Sequence, residues 1–419
     1  MTDRSAPGVR IESLPDERAR AGTPLDLAGR IISVRYQDHD ERVDVCTLEL
    51  DNFDLALFDR EDLGAGAILS VSWGYPGCMT LPRRVVVRHI KGFSRLLLEC
   101  HATSVLFDRV SRTRRFEQMR ASDVAREIAR EFGYSDDMLD IEPSRAERHD
   151  VLVQAAETDA RFLARLAARE GFVFRAEPER FIWRRVRREE PPTHVFTYYV
   201  DRGRGDVLEV NAECDLARRV GSEVVRGRDP RTRTTIEARA TNETAERTTL
   251  AEVVEVIDPE TGRSALEERR ATESVRSTTA ATHDAASHEA QARFVRAEQR
   301  SVRLRVRVVG DPTLGARRII EMRGISALLS GRYYVRSATH IVSGEGYTSE
   351  LELWRDGVGR RARALARELR GTPNTTPGAE PEAPRAAGAP PPALRAVERV
   401  DPETGRSAIE YRTEEVAAS

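Results

Sequence analysis

Between Val302 and Val308 the chain alternates without a break. Val302, Leu304, Val306 and Val308 are aliphatic, and Arg303, Arg305 and Arg307 stand between them. A helix would spread those arginines around its axis, whereas a strand sends odd and even positions to opposite faces. Only a strand with one buried and one wet face satisfies both residue sets. The pattern recurs at Tyr333–Ile341 and Tyr347–Trp354, and earlier at Ile31–Tyr36, Val43–Leu50, Ile68–Trp73, Arg84–Ile90 and Leu96–Thr103. Turn residues punctuate the runs, among them Asp38-His39-Asp40, Gly64-Ala65-Gly66, Gly74-Tyr75-Pro76-Gly77 and Gly344-Glu345-Gly346. Short strands at regular spacing specify a barrel or sandwich. Two β units are therefore expected, one over 31–105 and one over 301–357 with a first strand in 194–215. The acidic turn Asp38–Glu41 is expected to be a solvated hairpin tip rather than a metal loop.

Residues 107–190 change period. Thr158 or Asp159 supplies an N-cap oxygen, Phe162, Leu163, Leu166 and Ala167 form one helical stripe, and Gly171 stands where a left-handed residue stops the helix. Phe172–Phe174 leaves it as a buried strand, to be paired with Phe181–Val186. An earlier helix is expected from a Ser122 cap through Phe132, with Gly133 as its stop. Together these make a small α+β domain.

Residues 216–300 are polar and short of large apolar side chains. Two hairpins are expected there, Val224–Arg239 around Asp229-Pro230 and Val253–Glu268 around Asp258-Pro259. Residues 272–286 read as loose and Ser287–Arg300 as helical. Beyond Gly357 come a short helix, Arg360–Arg370, and a Pro/Ala/Gly/Thr linker over Gly371–Pro392 that cannot bury enough apolar surface to fold. Val400–Glu410 then repeats Ile257–Glu267 nearly residue for residue.

The chemistry of catalysis is missing. No G-x-S-x-G elbow, H-E-x-x-H helix or Walker loop occurs. His283 and His288 are five apart and do not share a helical face, and His89, His101 and His340 fall on strands as structural residues. Cys46, Cys78, Cys100 and Cys214 form no close pair, so no zinc site is expected. No catalytic residue, cofactor or metal ligand is assigned, and the chain is expected not to be an enzyme. Charged residues make up 32% but balance to a net of −2, which disfavours nucleic acid or a membrane surface as partner. No apolar run approaches the roughly 18 residues of a membrane span, and the N-terminus lacks the apolar core of a secretion signal. The chain is expected to be made and kept in a cytoplasm.

One charge feature stands out. Arg303, Arg305 and Arg307 share a strand face at a spacing of about 6.6 Å. They need cross-strand acids, a polyanion or a wet channel. Two readings follow: a solvated face balanced by glutamates, or the lining of a lumen or interface.

Three runs resemble one family. Gln154-Ala155-Ala156-Glu157-Thr158-Asp159 through Phe162-Leu163 to Glu170-Gly171-Phe172 resembles a run of phage-tail hub proteins and type VI secretion spike proteins. Trp73-Gly74-Tyr75 resembles that family's W-G-Y strand end. Gly331–His340 with Gly346-Tyr347-Thr348-Ser349-Glu350-Leu351 resembles its closing strands. The chain is thus similar to phage late control D proteins, the baseplate hubs of contractile tails.

The resemblance implies a mostly β, α+β chain with two β-barrel-like hub domains, 1–106 and 194–215 plus 301–357. They flank the α+β domain, 107–193, with a polar insertion, 216–300, and a C-terminal tail, 358–419. It also implies a homotrimer that adapts a six-fold tail tube to a three-fold spike. Its partners would be tube and spike proteins, baseplate wedge, and tape-measure or cargo, with no membrane and no specific nucleic acid. Such a chain is assembled in the bacterial cytoplasm and becomes part of a virion or injection particle. The rival readings are a tail-associated cell-wall-degrading enzyme and a tail component that contacts DNA. No OB-fold or long β-helix follows the hub part, so the spike is expected on a separate polypeptide.

Overall fold

The computed structural model describes residues 6–16, 19, 21–27, 29–102, 107–144, 149–177, 180–198, 206–214, 220–229, 232–241, 250, 272–278, 280, 282–326, 329–356, 394–400 and 407–413. The second expected hairpin, the 360–370 helix and the 371–392 linker lie outside the described residues. The chain divides into two units, Met1–Leu365 and Ala366–Ser419.

The first β module contains β1 (Gly8–Leu14), β2 (Thr23–Pro24), β3 (Ile31–His39), β4 (Val45–Asp51), β5 (Ile68–Tyr75), β6 (Cys78–Met79), β7 (Arg83–Gly92) and β8 (Arg95–Ala102). Its alternating apolar positions bury Leu48, Leu50, Leu69, Val71, Leu96 and Leu98 in one core, with Cys46 and Cys100.

The α+β domain follows: β9 (Ser111–Met119), α1 (Ala121–Glu131), β10 (Leu139–Ile141), β11 (His149–Thr158), α2 (Asp159–Glu170), β12 (Phe172–Glu177) and β13 (Arg180–Arg185). Helix α2 begins where Thr158 Oγ1 accepts from Arg161 N at 3.3 Å, and it ends at Gly171 with φ 71°. The family-like run before it has a structural task. Buried Gln154 donates to the Glu157 carbonyl and to Asp159 Oδ1, both at 2.9 Å, and Arg114 pairs with that same carboxylate. The run therefore locks the bulged strand-to-helix turn. Strand β12 pairs antiparallel with β13, Phe172 opposite Arg185. Ser122 is not the cap of α1. The helix starts one residue earlier, and the Ser122 N–H, inside the first turn, donates to Ser144 Oγ at 2.9 Å.

The second β module starts with β14 (His194–Thr197) and β15 (Val207–Cys214). An insertion follows: β16 (Val220–Arg228), β17 (Thr235–Thr241), β18 (Thr272–Ser277) and α3 (His283–Glu298). The first hairpin forms as expected, with Arg228 opposite Thr235. The loose reading of 272–286 is corrected. Strand β18 pairs parallel to β16, and α3 starts four residues before Ser287. Small residues make this core: Ala238, Ala240, Ala286 and Ala290 let the helix approach the sheet, and Phe294 fills the centre. A scale that counts large side chains misses it.

The module resumes with β19 (Val302–Val309), β20 (Ile319–Arg323), β21 (Gly331–Ser343) and β22 (Gly346–Arg355). In the second unit, β23 (Leu394–Val400) and β24 (Ser407–Thr413) form an antiparallel hairpin on the repeated segment.

The two modules share one topology. In the first, neighbours run β3-β4-β8-β7-β5-β1, and in the second β15-β19-β22-β21-β20-β14. The registers agree as well. Ile68 opposes Val86 and Leu69 opposes Val85, as Ile319 opposes Tyr334 and Ile320 opposes Tyr333. A bulge at Arg88 in β7 matches one at Arg336 in β21, and one at Ile32 in β3 matches one at Leu208 in β15. Gly66 N donates to Val87 O, and its counterpart Arg317 N donates to Val335 O, both at 2.8 Å. The outermost pairing differs: β1 is antiparallel to β5, while β14 is parallel to β20.

Candidate functional site

The modules join into one fourteen-stranded sheet where β21 meets β3, antiparallel, from Ser337 opposite His39 to Ser343 opposite Ser33. Strand β21 is long enough to serve two neighbours. Its first half pairs with β20, and beyond the bulge its second half pairs with β3.

An aromatic seam closes the junction. The β21–β22 hairpin carries Val342 and Tyr347 into the first module's core. Tyr347 Oη accepts from Trp73 Nε1 at 3.2 Å and lies 2.7 Å from His340 Nδ1, which also lies 3.2 Å from Ser349 Oγ. Trp73 packs on Tyr36 and His340, at ring-centroid distances of 4.6 and 5.2 Å. Burial holds His340 down at about 4, so it stays neutral near pH 7. The W-G-Y strand end and the closing strands, far apart in sequence, thus meet in space.

An ionic clamp sits beside the seam. The turn Asp38–Glu41 was expected to be solvated, and this is corrected for three of its residues: Asp38, His39 and Asp40 are at most 6% exposed, as is Asp44 just beyond the turn, while Glu41 stays exposed. Three chain segments cover it. From β12, Arg175 donates to Asp44 Oδ1 and Oδ2 at 3.1 and 2.7 Å and to Asp38 Oδ1 at 3.2 Å. From the second module, Arg317 donates to Asp38 Oδ1 and the His39 carbonyl, both at 2.7 Å, and Ala316 N donates to Asp38 Oδ2 at 3.0 Å. Arg336 spans Asp40 Oδ2 at 2.7 Å and Glu41 Oε2 at 2.6 Å. Sequence reasoning missed all three arginines. Arg336, alone in the uncharged run from Tyr333 to Thr339, was the one legible signal.

Protonation follows from this packing. Burial would lift Asp38, but Arg317 and Arg175 hold it well below the usual carboxylate range. Burial, with Asp38 as neighbour, pushes Asp44 up. Burial lifts Asp40 to about 6 despite Arg336, whose charge is shared with Glu41. Burial and Arg336 together drop His39 to about 4.

Arg317 has φ 66°, a left-handed value rare for a side chain of this size, where its counterpart Gly66 has φ 92°. The second module thus trades a glycine for a strained arginine, and the guanidinium so placed spans the junction.

Arg303, Arg305 and Arg307 lie on the face of β19 away from the core. Arg305 opposes Glu352 and Arg307 opposes Glu350; Arg303 and Arg307 also lie 4.0 and 3.6 Å from Glu213 and Glu209. Among the described residues, no group of three or more His, Cys, Asp or Glu side chains is placed to hold a metal ion. No helix among them is long and apolar enough to cross a membrane.

Paired β modules around an α+β domain, joined at a buried junction, give the fold seen in phage-tail proteins. The phage tail baseplate hub (GPD) family model matches residues 86–346, more than half of the chain, and the chain belongs to that family. It is a baseplate hub of a phage tail or of a related injection system. No curated protein matches it in sequence. Among solved structures it is similar to a tail protein from Neisseria meningitidis MC58, at TM-score 0.58 and 12% identity, covering 84% of this chain and 98% of that one. It is also similar to the 43 kDa tail protein of prophage MuSo2 from Shewanella oneidensis, at TM-score 0.59 and 14% identity, covering 84% and 100%. An Escherichia coli component of the type VI secretion system matches at TM-score 0.53 and 10% identity, covering 82% and 76%.

Proposed function

We infer that the hub is a non-enzymatic homotrimer that adapts a six-fold tail tube to a three-fold spike. The observation that supports this is the shared strand order, register and bulge placement of the two modules. Three copies would present six near-equivalent units to a hexameric tube, while the chain itself repeats only three times. The α+β domain and the β16–α3 insertion differ from each other, so they break the sixfold pattern to threefold and suit a trimeric spike. Wedge, tape-measure or cargo proteins would meet the remaining surfaces. The face carrying Arg303, Arg305 and Arg307 would line the lumen or an interface. Assembly would take place in the bacterial cytoplasm, before incorporation into a virion or injection particle.

Obligate interfaces of this kind bury about 2,000 Å² or more. Light scattering after size exclusion should give a trimer mass, and class averages in electron microscopy a ring. A stable monomer at micromolar concentration with tube and spike proteins present would refute the reading.

A further inference from the structure

Six arginines converge where the α+β domain meets the insertion. Helices α2 and α3 approach through small residues: a Cβ on Gly171 would stand 3.3 Å from the Cβ of Ala292. The long side chains beside that contact gather around one cleft of about 490 Å³. Arg165 and Arg169 enter it from α2, Arg293 and Arg296 from α3, Arg300 from just past α3, and Arg276 from β18. Glu223 is the single acid among the described residues that line it.

Two of these charges are balanced locally. Arg165 pairs with Glu157, and Arg293 pairs with Glu289 at 2.7 Å. Arg296 comes no nearer to Glu41 than 3.9 Å. Arg276 and Arg300 are exposed and form no ion pair with a described residue. Burial pulls Arg169 and Arg296 below the usual guanidinium value, and the like charges of Arg165 and Arg300 act on them in the same sense. Cations gathered in a cleft raise its potential and draw in an anion.

The floor of the cleft is a strand edge. Helix α3 packs across β16 and β17. Beside it β18 pairs with β16 and with no other described strand. On the α3 side of β18, Ser274 is half-buried and Arg276 exposed; on the opposite face Val275 is 46% exposed. A chain added along that edge would set every second side chain beside Arg276 and the others beside Val275.

We propose that the arginine cleft and the β18 edge together bind a partner protein through an extended acidic segment, one that alternates carboxylate and apolar side chains and adds to β18 as a further strand. Guanidinium forks match carboxylates, and an open strand edge matches a peptide backbone. Phosphates would match the arginines equally well. No aromatic side chain lines the cleft among the described residues, however, so bases find no stacking platform there. A peptide is therefore favoured over single-stranded nucleic acid.

The test uses the full chain and a short fluorescein-labelled peptide of alternating Glu and Val, read by anisotropy at low ionic strength. Saturable binding that weakens as salt rises is expected. Arg276→Glu combined with Arg300→Glu should weaken it by about tenfold or more at an unchanged melting temperature, since both side chains are exposed. A peptide of alternating Glu and Pro has the same charge but lacks half the backbone donors, and on the wild type it should also bind about tenfold or more weaker. Equal binding of the two peptides overturns the strand addition. Unchanged binding by the double variant, or tighter binding of an oligothymidylate than of the Glu-Val peptide, overturns the acidic-peptide cleft. No binding of the Glu-Val peptide overturns both. The cleft lies within one chain, so each outcome is independent of the trimer reading above.

Discussion

Arg175→Ala is the sharpest test of the clamp. The Arg175 side chain is 11% exposed, and its guanidinium faces Asp44 at 3% and Asp38 at 5%. Removing it leaves Asp38 with Arg317 but strips Asp44 of its ion partner, leaving the Tyr36 hydroxyl at 2.9 Å and the His39 N–H at 3.2 Å. Breaking a buried pair from one side costs about 3–5 kcal/mol, because the remaining charge stays in a poorly solvated site. An exposed pair would cost about 0–1 kcal/mol. For a melting unit of 150–250 residues the buried case lowers Tm by about 6–20 °C. Calorimetry on the wild type, Arg175→Ala, Asp44→Asn and the double variant gives the coupling energy. The double variant should recover at least half of the loss, since it removes the stranded charge. A loss under about 1 kcal/mol in Arg175→Ala, with no coupling to Asp44, would show a solvated turn and refute the clamp.

Three further outcomes are expected. Because Asp40 is raised to about 6 in the fold, its contribution is fully present below the unfolded carboxylate value near 4 and is lost as pH rises through about 6; Asp40→Asn should flatten the fall in Tm between pH 4 and 6, and an unchanged slope would exclude Asp40 as its source. Asp38, held low, acts in the opposite sense, its stabilisation being lost only as pH falls below about 4. At Arg317 both truncations should destabilise, but Arg317→Gly should be the more stable by about 1–2 kcal/mol, because alanine keeps the left-handed strain that glycine escapes; the reverse order in urea melts would deny the strain. Arg305→Ala should change stability by less than about 1 kcal/mol, since its side chain is exposed opposite Glu352, yet reduce assembled particles if the face lines a lumen or interface; normal particle yield would remove that role.

The strand runs were legible in the sequence because alternation is a local property: what Leu96 or Val306 needs is readable two residues away. Helix α2 was legible for the same reason, since Thr158, the apolar stripe and Gly171 lie within one short window. Within the insertion, residues 272–286 were misread because the core there is built from alanines, whose burial depends on how closely a helix can approach a sheet. The start of the turn Asp38–Glu41 was misread more deeply, since Asp38, His39 and Asp40 are buried together with Asp44. Four ionisable residues in a hairpin belong in water unless something covers them, and what covers them arrives from Arg175, Arg317 and Arg336, more than a hundred residues away. By itself the sequence determined most of the alternating strands of the two β modules and helix α2. Tertiary structure alone decided that two dissimilar stretches are the same module. That equivalence resides in pairing register and bulge position, which are relations between strands and leave almost no trace in the order of residues along any one of them.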